Sequence, residues 1–138
     1  MRRLVRDAGL DGRVEIDSAG TGGWHVGEPP DRRATLAARR RGVSLEGAAR
    51  QVRPDDFERF DLLIAMDRAN LRDLLALAPD EEAAEKVRLL REFDPASAGA
   101  PDLDVPDPYY GGDRGFETVL DLVEAACRGL LDELRAQV

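Results

Sequence analysis

Asp61-Leu62-Leu63-Ile64-Ala65-Met66-Asp67 decides how the rest of the chain is read. An unbroken apolar run lies between two aspartates, without the polar–apolar alternation of a strand that has one wet face. A run of this length reads as a strand covered on both sides, as in a parallel sheet with helices packed against each face. Asp67 stands where a helix N-cap belongs, so a helix is expected over 68–77. A strand passing through a cap straight into a helix is half of the unit that builds open α/β sheets.

The same alternation continues outward in both directions. Upstream, residues 1–8 are amphipathic and stop at Gly9, which reads as a helix tail with a glycine cap. Residues 13–17 predict a short strand that runs into Ser18-Ala19-Gly20-Thr21-Gly22-Gly23-Trp24. A helix is expected over 30–41, with Leu36 and Ala37 facing inward and Gly42 as its stop, and a short helix over 54–60. Downstream, 81–85 predict a helix and 86–90 a third strand. The Pro/Ala/Gly-rich stretch 94–101 reads as a flexible loop. In the last helix, expected over 116–135, Phe116, Val119, Leu120, Val123, Ala126, Cys127, Leu130, Leu131 and Leu134 recur at helical spacing. No repeat or linker divides the chain, so one domain over 1–138 is expected.

Composition narrows the function. A chain of 138 residues with 43% apolar side chains can build one core. Its net charge of −8 argues against nucleic acid or an anionic membrane as the main partner. Arg39-Arg40-Arg41 reads as a solvated helix end. The longest apolar run is far too short to span a bilayer, and no leader pattern opens the chain. The single cysteine excludes an internal disulfide and suits a reducing compartment, so a cytoplasmic protein is expected. No cofactor is expected, and no His/Asp/Cys cluster points to a metal.

Ligands of an open α/β sheet sit beyond the carboxyl ends of the strands. Three marked segments fall at that edge: 18–24 after the first strand, Met66-Asp67 after the second, and Val105-Pro106-Asp107-Pro108-Tyr109-Tyr110-Gly111-Gly112 after the third. In the last, an aspartate sits on a Pro-stiffened turn beside two aromatic rings. That combination suits a general acid that protonates a departing phenolate. The plainer reading is an Asp-Pro turn with a half-buried aromatic pair.

These residues together resemble the low molecular weight protein tyrosine phosphatases. The resemblance rests on Asp17-Ser18-Ala19-Gly20-Thr21, Trp24, Ala49-Arg50-Gln51, Met66-Asp67 with Asn70-Leu71, and Asp107-Pro108-Tyr109-Tyr110-Gly111, in the family's order and spacing. It implies the phosphotyrosine phosphatase I-like fold, an open parallel sheet with helices on both faces and strand order 2-1-3-4. It implies hydrolysis of phosphotyrosine proteins or aryl phosphates through a phosphocysteine, with Asp107 as general acid. Trp24, Tyr109 and Tyr110 would wall a slot deep enough for a phosphotyrosine ring, the alternative role being to pack their own loops. Ser18 would hydrogen-bond behind the phosphate loop, or simply end a strand. Asp67 would support the same region but is more simply a helix cap. His25 reads as an exposed loop residue. Gly47 departs from the pattern, because many members carry a histidine there.

The family's nucleophilic segment is Cys, five residues, Arg, then Ser or Thr. No such segment occurs in 1–138, and Cys127 lies on the apolar stripe of the last helix, where burial disfavours a thiolate. The expectation is therefore a member truncated at its N-terminus, lacking the interior first strand and the phosphate loop, and inactive as it stands. About twenty further residues carrying that motif would then be encoded upstream of Met1. The chief alternative is a catalytically dead binding module. An arsenate reductase would need more cysteines, and an arginine phosphatase usually carries Asp-Pro-Phe where this chain has two tyrosines.

Overall fold

A computed structural model describes residues 1–23, 26–45, 47–97, 99–106 and 112–137. Leu63–Ala65 forms β1 and pairs in parallel with Val87–Leu89, β2, placing Leu63 opposite Val87 and Ala65 opposite Leu89. The helices are α1 (Arg2–Asp7), α2 (Arg32–Arg40), α3 (Asp56–Arg59), α4 (Arg68–Leu77), α5 (Glu81–Glu85) and α6 (Gly112–Gln137). Two short 3-10 helices, Leu90–Phe93 and Pro95–Ser97, follow β2.

The apolar run divides between two cores because consecutive strand residues point to opposite faces. Leu63 and Ala65 join Phe57, Leu74, Val87 and Leu89 on one side. Leu62 and Ile64 pack on the other, against Leu90, Phe93, Ala126, Cys127 and Leu130. Coverage on both faces is what the unbroken apolar pattern requires. Each fully buried Leu, Val or Phe contributes about 1.5–3 kcal/mol, so the two clusters supply most of the driving force.

Helix ends follow local chemistry. Asp31, Asp67 and Asp80 each turn a carboxylate onto first-turn amides, of Arg33 and Ala34, of Asn70, and of Ala83. Replacing such a cap with alanine costs about 1 kcal/mol. Two helices end alike, at glycines with positive φ. Leu10 donates to Val5 and Gly9 to Arg6 after α1; Val43 donates to Ala38 and Gly42 to Arg39 after α2. This paired pattern needs a left-handed residue just past the helix, which glycine adopts without strain.

Four expectations need correction. Residues 13–17 form no strand. Their backbone is engaged by Arg2, whose Nη2 donates to the Ile16 carbonyl at 3.0 Å, and the first ladder contact on this stretch is an isolated bridge between Gly20 and Gln51. A strand exists only with a partner, and no described strand lies beside 13–17. Leu36 points outward and is 44% exposed, while Ala37 and Ala38 are buried against α6, since two small residues permit a closer approach. Arg41 is no solvated end. Its guanidinium joins Glu117 and Asp121 of α6, with Asp121 Oδ1 at 2.8 Å, and both contacts raise its pKa. Finally, the start of 94–101 is not a flexible loop. The buried Asp94 accepts hydrogen bonds from the Ala96 amide and the Ser97 hydroxyl, which lock a tight turn.

Candidate active site

The carboxyl end of β1 gathers two segments distant in sequence. The Val105 amide donates to the Met66 carbonyl at 2.8 Å, which continues the sheet edge by one hydrogen bond. Leu103 packs on the core that contains Leu63, and Val105 on the opposite core with Leu90 and Phe93, so this stretch also places alternate side chains on the two faces. Asp104 accepts from the Arg68 amide at 2.9 Å, while Asp67 accepts from the Asn70 amide at 2.8 Å. The first turn of α4 thus receives two carboxylates, where free amides and the helix dipole favour negative charge. Arg91 donates to the Asp104 carbonyl at 2.7 Å, and Arg68 to the Pro101 carbonyl at 2.9 Å. Residues 101–105 are thereby tied down directly before Pro106 and Asp107.

A second loop is laced beside the segment around Arg50. Gly20 donates to the Arg50 carbonyl at 2.8 Å, and Val52 returns a hydrogen bond to Gly20 at 2.9 Å. The Gln51 amide nitrogen reaches the Thr21 carbonyl. Arg50 holds the assembly through its fork: Nε meets Asp17 at 3.1 Å, and both terminal nitrogens meet Asp56 at 3.0 and 3.1 Å. Burial of Asp56 pushes its carboxyl upward, but the Arg50 hydrogen bonds and the Arg53 amide outweigh that and hold it below the usual range. Such a bidentate pair fixes orientation as well as charge.

Ser18 lies at the exposed start of this loop, its amide donating to Asp17 at 2.8 Å. Asp67 caps α4, which supports its structural role. Among the described residues no hydrogen bond joins the two. Asp107, Tyr109, Tyr110 and Trp24 lie outside the described residues, as does His25. Cys127 is buried in the core, and that burial pushes its thiol pKa up. Sequence reasoning missed Arg50 as the latch and Asp104 as the second cap. The one local signal was the pair of aspartates, Asp102 and Asp104, just before the acid motif, where Asp102 accepts from the Asp104 amide.

Comparison with known proteins agrees with this geometry. The family described as low molecular weight phosphotyrosine protein phosphatase matches residues 1–138. A low molecular weight protein-tyrosine-phosphatase of Streptomyces coelicolor is 56% identical over 99% of this chain and 83% of its own length. The human low molecular weight phosphotyrosine protein phosphatase is 37% identical over 96% of this chain and 82% of its own. Among solved structures, a protein tyrosine phosphatase of Entamoeba histolytica with Hepes in its active site superposes with a TM-score of 0.90. It is 33% identical and covers 99% of this chain and 85% of its own. YfkJ of Bacillus subtilis gives 0.87 at 37% identity, over 99% and 82%.

Proposed function

This chain belongs to the low molecular weight phosphotyrosine protein phosphatase family, hydrolases of phosphotyrosine, and we propose that Asp107 is the general acid of its reaction. A cysteine thiolate from outside residues 1–138 attacks phosphorus in line. The bond from phosphorus to the tyrosine oxygen breaks as Asp107 gives that oxygen its proton. Water then attacks the phosphocysteine, Asp107 takes its proton back, and the phosphorus–sulfur bond breaks to release phosphate. The arginine of the same external loop would stabilise the equatorial oxygens. Trp24, Tyr109 and Tyr110 wall the slot for the ring. Ser18 supports the phosphate loop by hydrogen bonding, and Asp67 supports it through the start of α4.

The observation that carries this reading is the double tie of the segment before Asp107 to the end of β1, by Val105 to Met66 and Asp104 to Arg68. A general acid works only when its loop is held, since misplacement of about 1 Å can cost a hundredfold in rate. One domain over 1–138, located in the cytoplasm, completes the proposal. Because the only cysteine is the core residue Cys127, residues 1–138 alone should turn over aryl phosphates at the background rate. The same observation favours a second reading, a catalytically dead phosphatase-like binding module.

The test uses a longer protein that carries Cys-x5-Arg-Ser or Cys-x5-Arg-Thr. Asp107→Asn should cut its turnover of an aryl phosphate with a poor leaving group by about 10²–10⁴-fold. Unchanged turnover removes Asp107 from this role. A longer natural protein without the motif promotes the binding module.

A further inference from the structure

Helix α2 has two working faces. Arg33, Ala37, Ala38 and Arg41 turn toward α6, with the Arg33 guanidinium 5.2 Å from the Phe116 ring centre and Arg41 on the α6 acids. Arg32, Leu36 and Arg39, at steps of four and three, form one opposite stripe. All three are exposed, and among the described residues neither Arg32 nor Arg39 has a side-chain hydrogen bond or ion pair. Beside the stripe, Pro29, Pro30 and Leu45 complete a shallow groove that Arg32, Leu36 and Arg39 also line. Single exposed leucines need no explanation. Here, however, Leu36 and Leu45 share one concavity with prolines and two free guanidinium groups.

The charge is as local as the apolar surface. The whole chain carries −8, yet residues 26–45 hold five arginines against two acids, Glu28 and Asp31, and of the five Arg41 is spent on the α6 acids. Asp31 is already occupied, its carboxylate capping α2. An acidic protein thus carries a positive, partly apolar strip. In sequence, Pro29 follows Trp24 by five residues, a chain reach of at most ~18 Å.

We propose that this groove docks an acidic, apolar-bearing segment of the phosphotyrosyl protein substrate, with carboxylates on Arg32 and Arg39 and an aliphatic side chain against Leu36 and Leu45. The inference rests on the phosphotyrosine reading for the identity of that partner, but the docking itself needs no chemistry. Charged rims of this kind steer encounter and select partners.

The probes are short peptides in three versions: Glu/Asp and Leu flanking a phosphotyrosine, the same flanks around unmodified tyrosine, and neutral Ser/Gly flanks. Binding is followed by fluorescence anisotropy and by amide chemical-shift changes in the longest form of the protein. Both acidic peptides should move the amides around Leu36 and Leu45. Arg32→Glu with Arg39→Glu should weaken the unmodified acidic peptide about tenfold or more, and salt should weaken it too. Leu36→Ser should weaken it with the salt dependence kept. Turnover of a small aryl phosphate by the active form should not change in any of these variants. Equal affinity for acidic and neutral flanks, or shifts elsewhere on the surface, overturns the proposal. So does concentration-dependent self-association that shifts the same amides without peptide, which would give the face to a second copy. Loss of aryl phosphate turnover on Asp107→Asn is a separate readout, so the chemistry and the docking can fail independently.

Discussion

Gly129→Ala tests the closest approach in the fold. On helix propensity alone this change would stabilise α6 by about 1 kcal/mol. The packing reverses the sign. A Cβ at Gly129 would sit 1.7 Å from the Phe93 carbonyl oxygen and 2.7 Å from its carbon, whereas real contacts begin at 3.0 Å. The helix must therefore move by about 1.3 Å, and the obstacle is backbone rather than a side chain that could swing aside. That displacement opens the seam in which Leu90 and Phe93 meet Ala126, Cys127 and Leu130. It also strains the Asp94 turn that follows Phe93. Overpacking typically costs about 1–3 kcal/mol, and backbone obstruction belongs at the upper end. After the propensity gain, about 2 kcal/mol of net destabilisation remains. For a chain of this size that lowers Tm by roughly 6–10 °C. Thermal and urea unfolding by circular dichroism measure it, in whichever length of the protein melts cooperatively. Arg128→Ala, next door on the exposed face, is the control and should stay within about 0.5 kcal/mol. A Gly129→Ala melt at or above that of the parent refutes the reasoning.

Arg50→Ala should cost about 2 kcal/mol at neutral pH. This is less than the ~3–5 kcal/mol for a fully buried pair, because the Arg50 side chain is 32% exposed. The pH signature is more specific. With its folded pKa depressed, Asp56 contributes stability above the unfolded carboxylate range, and that contribution is lost as pH falls through the lowered value. Without Arg50, burial should raise the Asp56 pKa, so acidification should narrow the gap between variant and parent; a constant gap from neutral to acid pH argues against the latch. Among the described residues β1 pairs with β2 alone, so residues 1–138 by themselves should bind hydrophobic dyes or self-associate. A monomer with a sharp melt equal to that of a longer form would show that β1 needs no second neighbour. Asp104→Ala should loosen the tie ahead of Asp107, lowering turnover of the active longer form at least several-fold while stability falls by only about 1 kcal/mol, and unchanged turnover would detach that tie from catalysis.

What the sequence reveals about this fold is divided by distance along the chain. Helix α4 begins at the Asp67 cap that the sequence announces, and α5 covers the residues expected of it, because local signals lie within a few residues. The unbroken run 62–66 announces its two covered faces for the same reason. The missed features depend on partners far away in sequence. Residues 13–17 have strand composition but no described neighbour, Leu36 yields the inward face to Ala37 and Ala38, and the Asp94 turn hides within a linker-like composition. The role of Gly129 is set by the Phe93 carbonyl packed against it, 36 positions earlier in the chain. The candidate site divides in the same way. Residue types suited to acid catalysis and ring binding are legible in Asp107, Tyr109, Tyr110 and Trp24, because chemistry is a property of side chains. The framework that would hold them is not legible, because Arg50 bridges Asp17 to Asp56, and Asp104 reaches Arg68 across 36 residues. Function in such a chain is thus announced by its motifs, and the long-range pairings that hold them, Arg50 with Asp17 and Asp104 with Arg68, appear only in the fold. Variation at Asp104 would accordingly loosen the tie ahead of Asp107 without touching any residue of the identifying motifs.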